Sequence, residues 1–123
     1  MHEVAVAERM VETALRAARE NGGGRVTAAR LLLGELTCLD SETLAFAFGV
    51  ANRNTPAAGC KLDIVKVPAR LRCRLCRFEH HSRLIDPCPA CGAAGGEILA
   101  GRELRLDTID IEEENLEDSQ GER

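Results

Sequence analysis

The chain has 123 residues, and its 20 acidic and 16 basic residues give a formal net charge of −4. This length suits one small domain, or a small domain with a metal-stabilised module. With three Phe and neither Trp nor Tyr, the core has to be built from Leu, Ile, Val and Ala. No apolar run approaches the roughly 20 residues that cross a bilayer, and no secretory leader opens the chain. We therefore expect a cytoplasmic protein without a membrane partner.

The first predicted element is an amphipathic helix over residues 3–20. Apolar residues recur there at steps of three and four, and charged residues fill the other face. The apolar set is Val4, Ala7, Val11, Ala14, Leu15 and Ala18. Asn21 and the three glycines after it predict the end of this helix.

The middle of the chain alternates strand and helix patterns. Residues 25–36 are rich in Leu and predict a strand with mixed faces. Asp40 or Ser41 is suited to cap a second helix that ends near Asn52, with Leu44, Phe48 and Ala51 on its apolar face. Residues 61–67 alternate apolar and polar and predict a second strand.

The last strand is predicted over residues 103–111. Its apolar set changes parity between Leu106 and Ile109, which indicates a β-bulge or a change of packed face. The order of elements predicts an α/β fold (α+β) with two helices on one face of a small three-stranded sheet. A zinc ribbon is inserted between two of the strands.

This order divides the chain into three parts. Residues 1–68 and 101–111 form the α/β domain, and residues 69–100 form the zinc ribbon. Seven acids fall within residues 110–123, which leaves 13 acids and 15 bases in residues 1–109. Residues 112–123 are polar and aperiodic, and predict an acidic disordered tail.

Two Cys-x-x-Cys pairs carry the most specific signal in the sequence. Cys73 and Cys76 form the first pair, and Cys88 and Cys91 form the second. Four thiolates in this spacing converge on one tetrahedral Zn²⁺, and a closed set of four cysteines is typical of a structural site. Gly92 follows the second pair and is suited to a positive φ.

Basic residues surround the first Cys-x-x-Cys pair. They are Lys66, Arg70, Arg72, Arg74, Arg77 and Arg83. Either they offset the negative charge of a Zn(Cys)₄ centre, or they form a surface for an acidic protein or nucleic acid. The second hypothesis is a zinc-ribbon nucleic-acid or transcription module. Few aromatic residues are present to stack on bases, and the tail is acidic, so we expect no nucleic-acid partner. A zinc hydrolase or deaminase is disfavoured by the closed site, so we expect no enzyme.

The N-terminus offers a second set of metal ligands. The terminal amine, the nearby backbone nitrogens, the His2 imidazole and the Glu3 carboxylate lie within a few bonds of one another. Nitrogen-rich donors that close chelate rings suit Ni(II) or Cu(II). By itself this pattern is weak, because a histidine at position 2 is usually an ordinary terminal residue.

Together these motifs resemble the HypA/HybF family of [NiFe]-hydrogenase maturation factors. The resemblance rests on Met1-His2-Glu3, on residues 34–40 (GELTCLD), on residues 58–62 (AGCKL) and on the paired Cys-x-x-Cys motifs, in this order. It extends to about Ile111. It implies a nickel metallochaperone in which His2 is the essential nickel ligand, with Glu3 and Asp40 beside it.

The resemblance also implies cofactors and partners. Ni(II) would be the transferred cargo and Zn(II) a structural ion. The partners would be a HypB-type GTPase, the hydrogenase large-subunit precursor and, in some relatives, urease maturation proteins. We expect a monomer or a weak homodimer.

Several of these residues have simpler alternative roles. Asp40 is equally suited to cap a helix, and Glu3 to place negative charge at a helix N-terminus. For Cys38 a buried structural thiol is the expected role, with a position facing the nickel end as the other possibility, and Cys60 is expected to pack in the core. His80 and His81 are expected in a solvated turn, with an alternate zinc ligand or a second metal contact as the other possibility.

Overall fold

A three-stranded mixed sheet and two helices form the larger part of the fold. The computed structural model describes residues 2–81 and 86–113. The elements of this larger part are α1 (Glu3–Glu20), β1 (Arg25–Gly34), a 3₁₀ turn (Glu35–Thr37), α2 (Ser41–Ala51), β2 (Lys61–Val67) and β6 (Leu104–Glu112). The predicted fold class, with two helices and a small sheet, is confirmed.

Strand β1 lies at the centre of this sheet. It pairs parallel with β2 and antiparallel with β6. Parallel neighbours need a crossover connection, and α2 lies within the segment that joins β1 to β2. Arg30 and Asp63 form an exposed ion pair of 3.1 Å between β1 and β2.

Helix α1 has the bounds that its sequence pattern predicted. Its buried side packs with Leu31, Leu33 and residues of α2 into the main hydrophobic core. The prediction for Val4 was wrong, because this side chain is 64% exposed. Met10 was not predicted, yet only 5% of it is exposed, and its flexible thioether side chain can fill irregular space in a core.

Helix α2 begins as predicted, with Asp40 as its N-cap. The Asp40 carboxylate accepts a hydrogen bond of 2.8 Å from the backbone N–H of Thr43, and Leu44 and Phe48 are buried in the core. The predicted strand over residues 25–36 was too long, because the chain turns into the 3₁₀ segment after Gly34. No helix in the described part of the chain is long and apolar enough to cross a membrane.

The irregular register predicted for the last strand is present in β6. Arg30 pairs with Thr108, and the next residue, Leu31, pairs with Leu106. Asp107 is therefore an extra residue in β6. The shift lies inside the interval in which the apolar pattern changes parity, so the prediction of a β-bulge there is confirmed.

A second, smaller sheet contains β3 (Arg70–Arg72), β4 (Glu79–His80) and β5 (Glu97–Ala100), with β3 in the middle. Its three strands fall within residues 69–100. The separation of the chain into domains stays a prediction. Glu112, which was assigned to the tail, pairs with Arg25 in the larger sheet. Arg83 and most of the predicted tail lie outside the described residues.

Candidate metal centres

The four cysteine sulfur atoms of the two pairs converge on one point. All four lie within 4.8 Å of one another. The Sγ atoms of Cys73 and Cys91 are 3.5 Å apart, and those of Cys76 and Cys88 are 3.7 Å apart. A tetrahedral zinc ion with Zn–S bonds of about 2.3 Å places its sulfur ligands about 3.8 Å apart. The cluster therefore has the donor type, number and spacing that a closed zinc site requires.

The two halves of this cluster have matching backbones. The N–H of Arg77 donates to the carbonyl oxygen of Cys73 at 3.0 Å, and that of Gly92 donates to Cys88 at 2.8 Å. Both donors have a positive φ, 68° for Arg77 and 77° for Gly92. The prediction for Gly92 is confirmed. The positive φ of Arg77 was not predicted, because residues other than glycine rarely adopt a positive φ.

Backbone N–H groups face two of the sulfur atoms. The N–H of Cys76 lies 3.5 Å from the Cys73 sulfur, and the N–H of Ala90 lies 3.4 Å from the Cys88 sulfur. The N–H of Cys76 is the main cause that lowers the pKa of the Cys73 thiol to about 6. Since the thiolate is the form that binds a metal, this arrangement favours metal binding.

Two of the arginines around the first pair are engaged by carboxylates. Glu79 lies 3.5 Å from Arg70 and 3.3 Å from Arg72, and Glu97 lies 3.4 Å from Arg72. These ion pairs join β3 to its two neighbours in the small sheet. Arg70 and Arg72 therefore have a structural role, which weakens the case for a free basic surface.

The two histidines between the cysteine pairs have different environments. His80 is buried in β4 and its ring stacks on Phe78, with ring centroids 6.0 Å apart. The expected solvated turn was therefore wrong for His80. His81 is exposed, and its Nε2 lies 2.8 Å from the Glu35 carboxylate. Among the described residues, the metal-binding group contains neither histidine.

The predicted nickel residues lie where the N-termini of α1 and α2 meet. Glu3, the first residue of α1, is only 5% exposed. Its Oε2 accepts a hydrogen bond of 3.0 Å from the backbone N–H of Asp40, the residue that caps α2. His2 is exposed and immediately precedes α1, and its side chain makes no capping hydrogen bond. The fold thus brings Asp40 next to Glu3, although they are 37 residues apart in the sequence.

Asp40 has the capping role that its sequence position allowed. Its Oδ2 accepts hydrogen bonds from the Thr43 hydroxyl at 2.6 Å and from the Thr43 N–H at 2.8 Å. These two bonds lower the pKa of Asp40, and the nearby charge of Glu3 acts in the opposite direction. Asp40 is an exposed carboxylate at neutral pH, which leaves it suited to contact a cation at the surface.

The two remaining cysteines differ in exposure. Cys38 is exposed and has a φ of 59°, so the expected buried thiol was wrong. The reason is that Cys38 ends the 3₁₀ turn in the left-handed region, and the chain there leaves the core. Cys60 is partly buried against both hydrophobic clusters, as expected for a packing residue, and burial raises its pKa.

Glu35 has a role at the junction of the two sheets that was not predicted from the sequence. Its Oε1 accepts a hydrogen bond of 2.8 Å from the N–H of Ala69 and lies 2.8 Å from His81. The hydrogen bond from Ala69 is the larger cause that lowers the pKa of Glu35, and the contact with His81 is the next. Glu35, Asp40 and His81 also line a common cleft of about 490 Å³ together with Lys66.

Comparison with known proteins identifies the family. A family model described as hydrogenase/urease nickel incorporation, metallochaperone, HypA matches residues 1–111. The chain belongs to the HypA family. Hydrogenase maturation factor HypA of Geotalea uraniireducens is 39% identical over 113 residues, covering 91% of this chain and 100% of that protein. The HypA of Chlorobaculum tepidum gives the same values of identity and coverage.

Solved structures show the same fold. The solution structure of the Ni metallochaperone HypA from Helicobacter pylori has a TM-score of 0.68 at 22% identity, covering 93% of this chain and 100% of that chain. A second solution structure of a HypA protein has a TM-score of 0.69 at 23% identity, covering 93% and 98%. The family is one of maturation factors, and the four-cysteine cluster fits a zinc ribbon.

Proposed function

We propose that this protein binds Ni(II) through His2, with Glu3 and Asp40 beside it, and delivers the ion during [NiFe]-hydrogenase maturation. The observation that carries the proposal is the hydrogen bond of 3.0 Å between the Glu3 carboxylate and the Asp40 N–H. It joins the starts of two helices and brings Glu3 and Asp40 together at the end of the fold where His2 precedes α1. The family description, nickel incorporation, supports the choice of metal.

The chemistry of these groups suits a cargo that must be released. The imidazole of His2, together with backbone nitrogen near the terminus, offers the nitrogen donors that Ni(II) prefers. His2 and Asp40 are exposed, so incoming ligands from a partner protein can reach the metal. Glu3 is buried and held by Asp40, and it provides the fixed part of the site.

The zinc ion proposed for the cysteine cluster has a structural role. Four cysteine ligands leave no open position for a substrate. A bound zinc supplies the cross-link that a 32-residue ribbon needs in place of a large apolar core. Cys73, Cys76, Cys88 and Cys91 would hold it, and their thiolates require the reducing conditions of the cytoplasm, where we place the protein.

Delivery requires protein partners. We propose a HypB-type GTPase and the hydrogenase large-subunit precursor, with urease maturation proteins as further recipients. The family description includes both hydrogenase and urease. No catalytic role is assigned to any residue, since the proposed work is the binding and transfer of a metal.

The first prediction concerns the nickel ligand. His2→Ala should lower nickel affinity at least about tenfold at neutral pH, because it removes the only side-chain nitrogen donor of the site. Zinc content and the circular dichroism spectrum should not change, since His2 is outside the cysteine cluster. Calorimetric titration of the zinc-loaded protein with Ni(II) measures the effect.

Two control variants make this titration specific. His81→Ala removes another exposed imidazole and should retain the tight nickel site. Glu3→Gln should weaken nickel binding, whereas Glu8→Gln, on the exposed side of α1, should leave it unchanged. Equal affinity of His2→Ala and wild type would refute the proposed site. Equal losses in His2→Ala and His81→Ala would also contradict it.

A further inference from the structure

The cleft of about 490 Å³ at the start of α2 combines apolar and ionisable residues in its lining. The apolar residues are Leu33, Leu39, Val67 and Pro68. The ionisable residues are Glu35, Asp40, Lys66 and His81. Because Asp40 belongs to the proposed nickel site, a charge that borders this cleft acts on a metal ion bound there.

Glu35 and His81 are engaged with each other. The Nε2 atom of His81 lies 2.8 Å from Oε1 of Glu35, and the same oxygen accepts a hydrogen bond of 2.8 Å from the N–H of Ala69. These contacts hold the Glu35 carboxylate at the junction with the small sheet. Asp40 and Lys66 are the other two ionisable residues of the lining.

The side chain of Lys66 is a free positive charge beside the cleft. It is exposed and forms no ion pair within residues 2–81 and 86–113. Its backbone is fixed near the end of β2, where Lys66 pairs with Leu33 of the central strand. A lysine ammonium group is a compact charge on a flexible four-carbon stem. It can therefore change position along the cleft while its backbone stays in the sheet.

The carboxylate of Asp40 is within the electrostatic influence of this lysine. The two hydrogen bonds from Thr43 to Oδ2 are the main causes that lower the pKa of Asp40, and the positive charge of Lys66 lowers it further. A cation that lowers the pKa of a carboxyl group stabilises its ionised form. Lys66 thus attracts the same carboxylate that the proposed site offers to nickel.

We propose that Lys66 limits the affinity of the nickel site and promotes release of the ion. Its ammonium group is attracted to the Asp40 carboxylate when the site is empty, and it repels Ni(II) when the site is loaded. Both effects favour the empty state, which suits a protein that has to give up its metal. This inference rests on the nickel function proposed above.

Coulomb's law sets the size of the effect. In water, a single and a double positive charge about 8 Å apart repel each other enough to raise a dissociation constant about fivefold. Salt screens this repulsion, because the Debye length falls from about 10 Å at 0.1 M to about 3 Å at 1 M. The effect of Lys66 should therefore be largest at low ionic strength and nearly absent at about 1 M salt.

A series of charges at position 66 tests the proposal. At low salt, Lys66→Gln should bind nickel about three- to fivefold more tightly than wild type, and Lys66→Glu at least about tenfold more tightly. Lys66→Arg keeps the charge and should stay within about twofold of wild type. Calorimetric titration of the zinc-loaded chain with Ni(II) measures the affinities. Transfer of nickel to a coloured chelator measures the release rates, which should fall in the same order.

A matched control separates this effect from a general change of charge or of structure. Lys61→Gln removes the same charge from the other end of β2 and should leave nickel affinity unchanged. Damage to the fold would weaken binding, whereas the proposal requires a gain that disappears at high salt.

Two results would overturn the role of Lys66 and leave the nickel site itself standing. One is an equal gain in Lys61→Gln, and the other is wild-type affinity and release in Lys66→Gln while His2→Ala loses the tight site. Wild-type affinity of His2→Ala would instead refute the site, and this inference with it.

Discussion

The carboxylate of Asp40 caps α2 and is also part of the proposed nickel site. Two hydrogen bonds from Thr43 hold its Oδ2 as the cap of α2, while its backbone N–H holds Glu3. Loss of the carboxylate therefore affects the stability of the helix as well as the proposed nickel site. A variant that keeps the cap and removes the charge can separate these two roles.

Asp40→Ser is such a variant, because serine caps helices about as well as aspartate. It should keep the thermal midpoint within about 2 °C of wild type, whereas Asp40→Ala should lower it on the order of 5 °C. If Asp40 contacts nickel, both variants should weaken nickel binding by a similar factor. Thermal denaturation and nickel titration of the same samples distinguish the outcomes. A nickel affinity of wild-type strength in Asp40→Ser would restrict Asp40 to capping.

At the residue scale, the sequence revealed side chains whose partners are close in the chain. The two cysteines of each pair are three residues apart, and Asp40 caps α2 through Thr43, which is also three residues away. The role of Glu35 could not be predicted, because its partners Ala69 and His81 lie 34 and 46 residues away. Only the folded arrangement brings those groups together.

The end of β1 lies very close to another segment of backbone. A Cβ added at Gly34 would overlap the carbonyl oxygen of Gly101. The N–H of Gly34 donates to the carbonyl oxygen of Glu103 at 2.7 Å, and the N–H of Leu36 donates to that of Gly101 at 2.8 Å. Close approach of two backbones at this point requires glycine.

Gly34→Ala should therefore destabilise the protein by about 1–3 kcal/mol, because the backbone has to move to accept the methyl group. Gly49→Ala is the matched control. It adds the same methyl group to a helix, where nothing lies within 4 Å, and should stabilise the fold by about 0.5–1 kcal/mol. Urea denaturation at low micromolar concentration measures both changes. Similar effects of the two substitutions would contradict the crowding that we infer at Gly34.

The same distinction between local and distant causes applies to the elements. The bounds of α1 were predictable because its periodicity and its Asn-Gly terminator lie within one segment. The end of β1 was predicted two residues too late, since Glu35 and Leu36 continue the strand-like composition. Contacts with Ala69 and Gly101, which are distant in sequence, divert these two residues into a turn.

At the scale of the whole molecule, Glu35 links the two sheets. It extends from the turn after β1, and its carboxylate accepts a hydrogen bond from the N–H of Ala69, the residue that precedes the small sheet. The pKa of Glu35 is lowered from 4.5 by this bond first and by His81 second. Because the pKa of Glu35 is lower in the folded state than in the unfolded state, its carboxylate stabilises the fold at pH values above the unfolded-state pKa. This stabilisation is lost as the pH falls through the pKa of the folded state.

Protection of the Ala69 amide from hydrogen exchange should report this link. Protection should be constant between about pH 7 and 5, after correction for the intrinsic rate, and should begin to fall below about pH 4.5, where the carboxylate starts to gain its proton. Glu35→Ala should show low protection at every pH, while Glu8→Ala should behave like wild type. Unchanged protection of Ala69 in Glu35→Ala would show that other contacts hold the junction.

Removal of zinc tests how far the two parts of the molecule depend on each other. Of the residues that the structure describes between 69 and 100 (69–81 and 86–100), none belongs to the clusters that pack α1, α2 and the larger sheet. Among residues 69–81 and 86–100, by contrast, the buried apolar residues are few, namely Ala69, Leu71, Cys73 and Cys88. The larger part thus has its own core, whereas we expect the ribbon to depend on the zinc ion proposed for its cysteine cluster.

A chelator should therefore lower the hydrogen-exchange protection of β3 and β5 by about 100-fold or more, and change that of α1 by less than about fivefold. Replacing Cys76 and Cys91 together with Ser should reproduce this result without a chelator. Readdition of zinc should restore protection in the chelated wild type and should fail to do so in the variant. Loss of protection in α1 at the same rate as in β3 would mean that the sheets unfold as one cooperative unit. In that case, the hydrogen bonds of Glu35 and the contact between Gly34 and Gly101 would couple the two parts more strongly than their separate cores suggest.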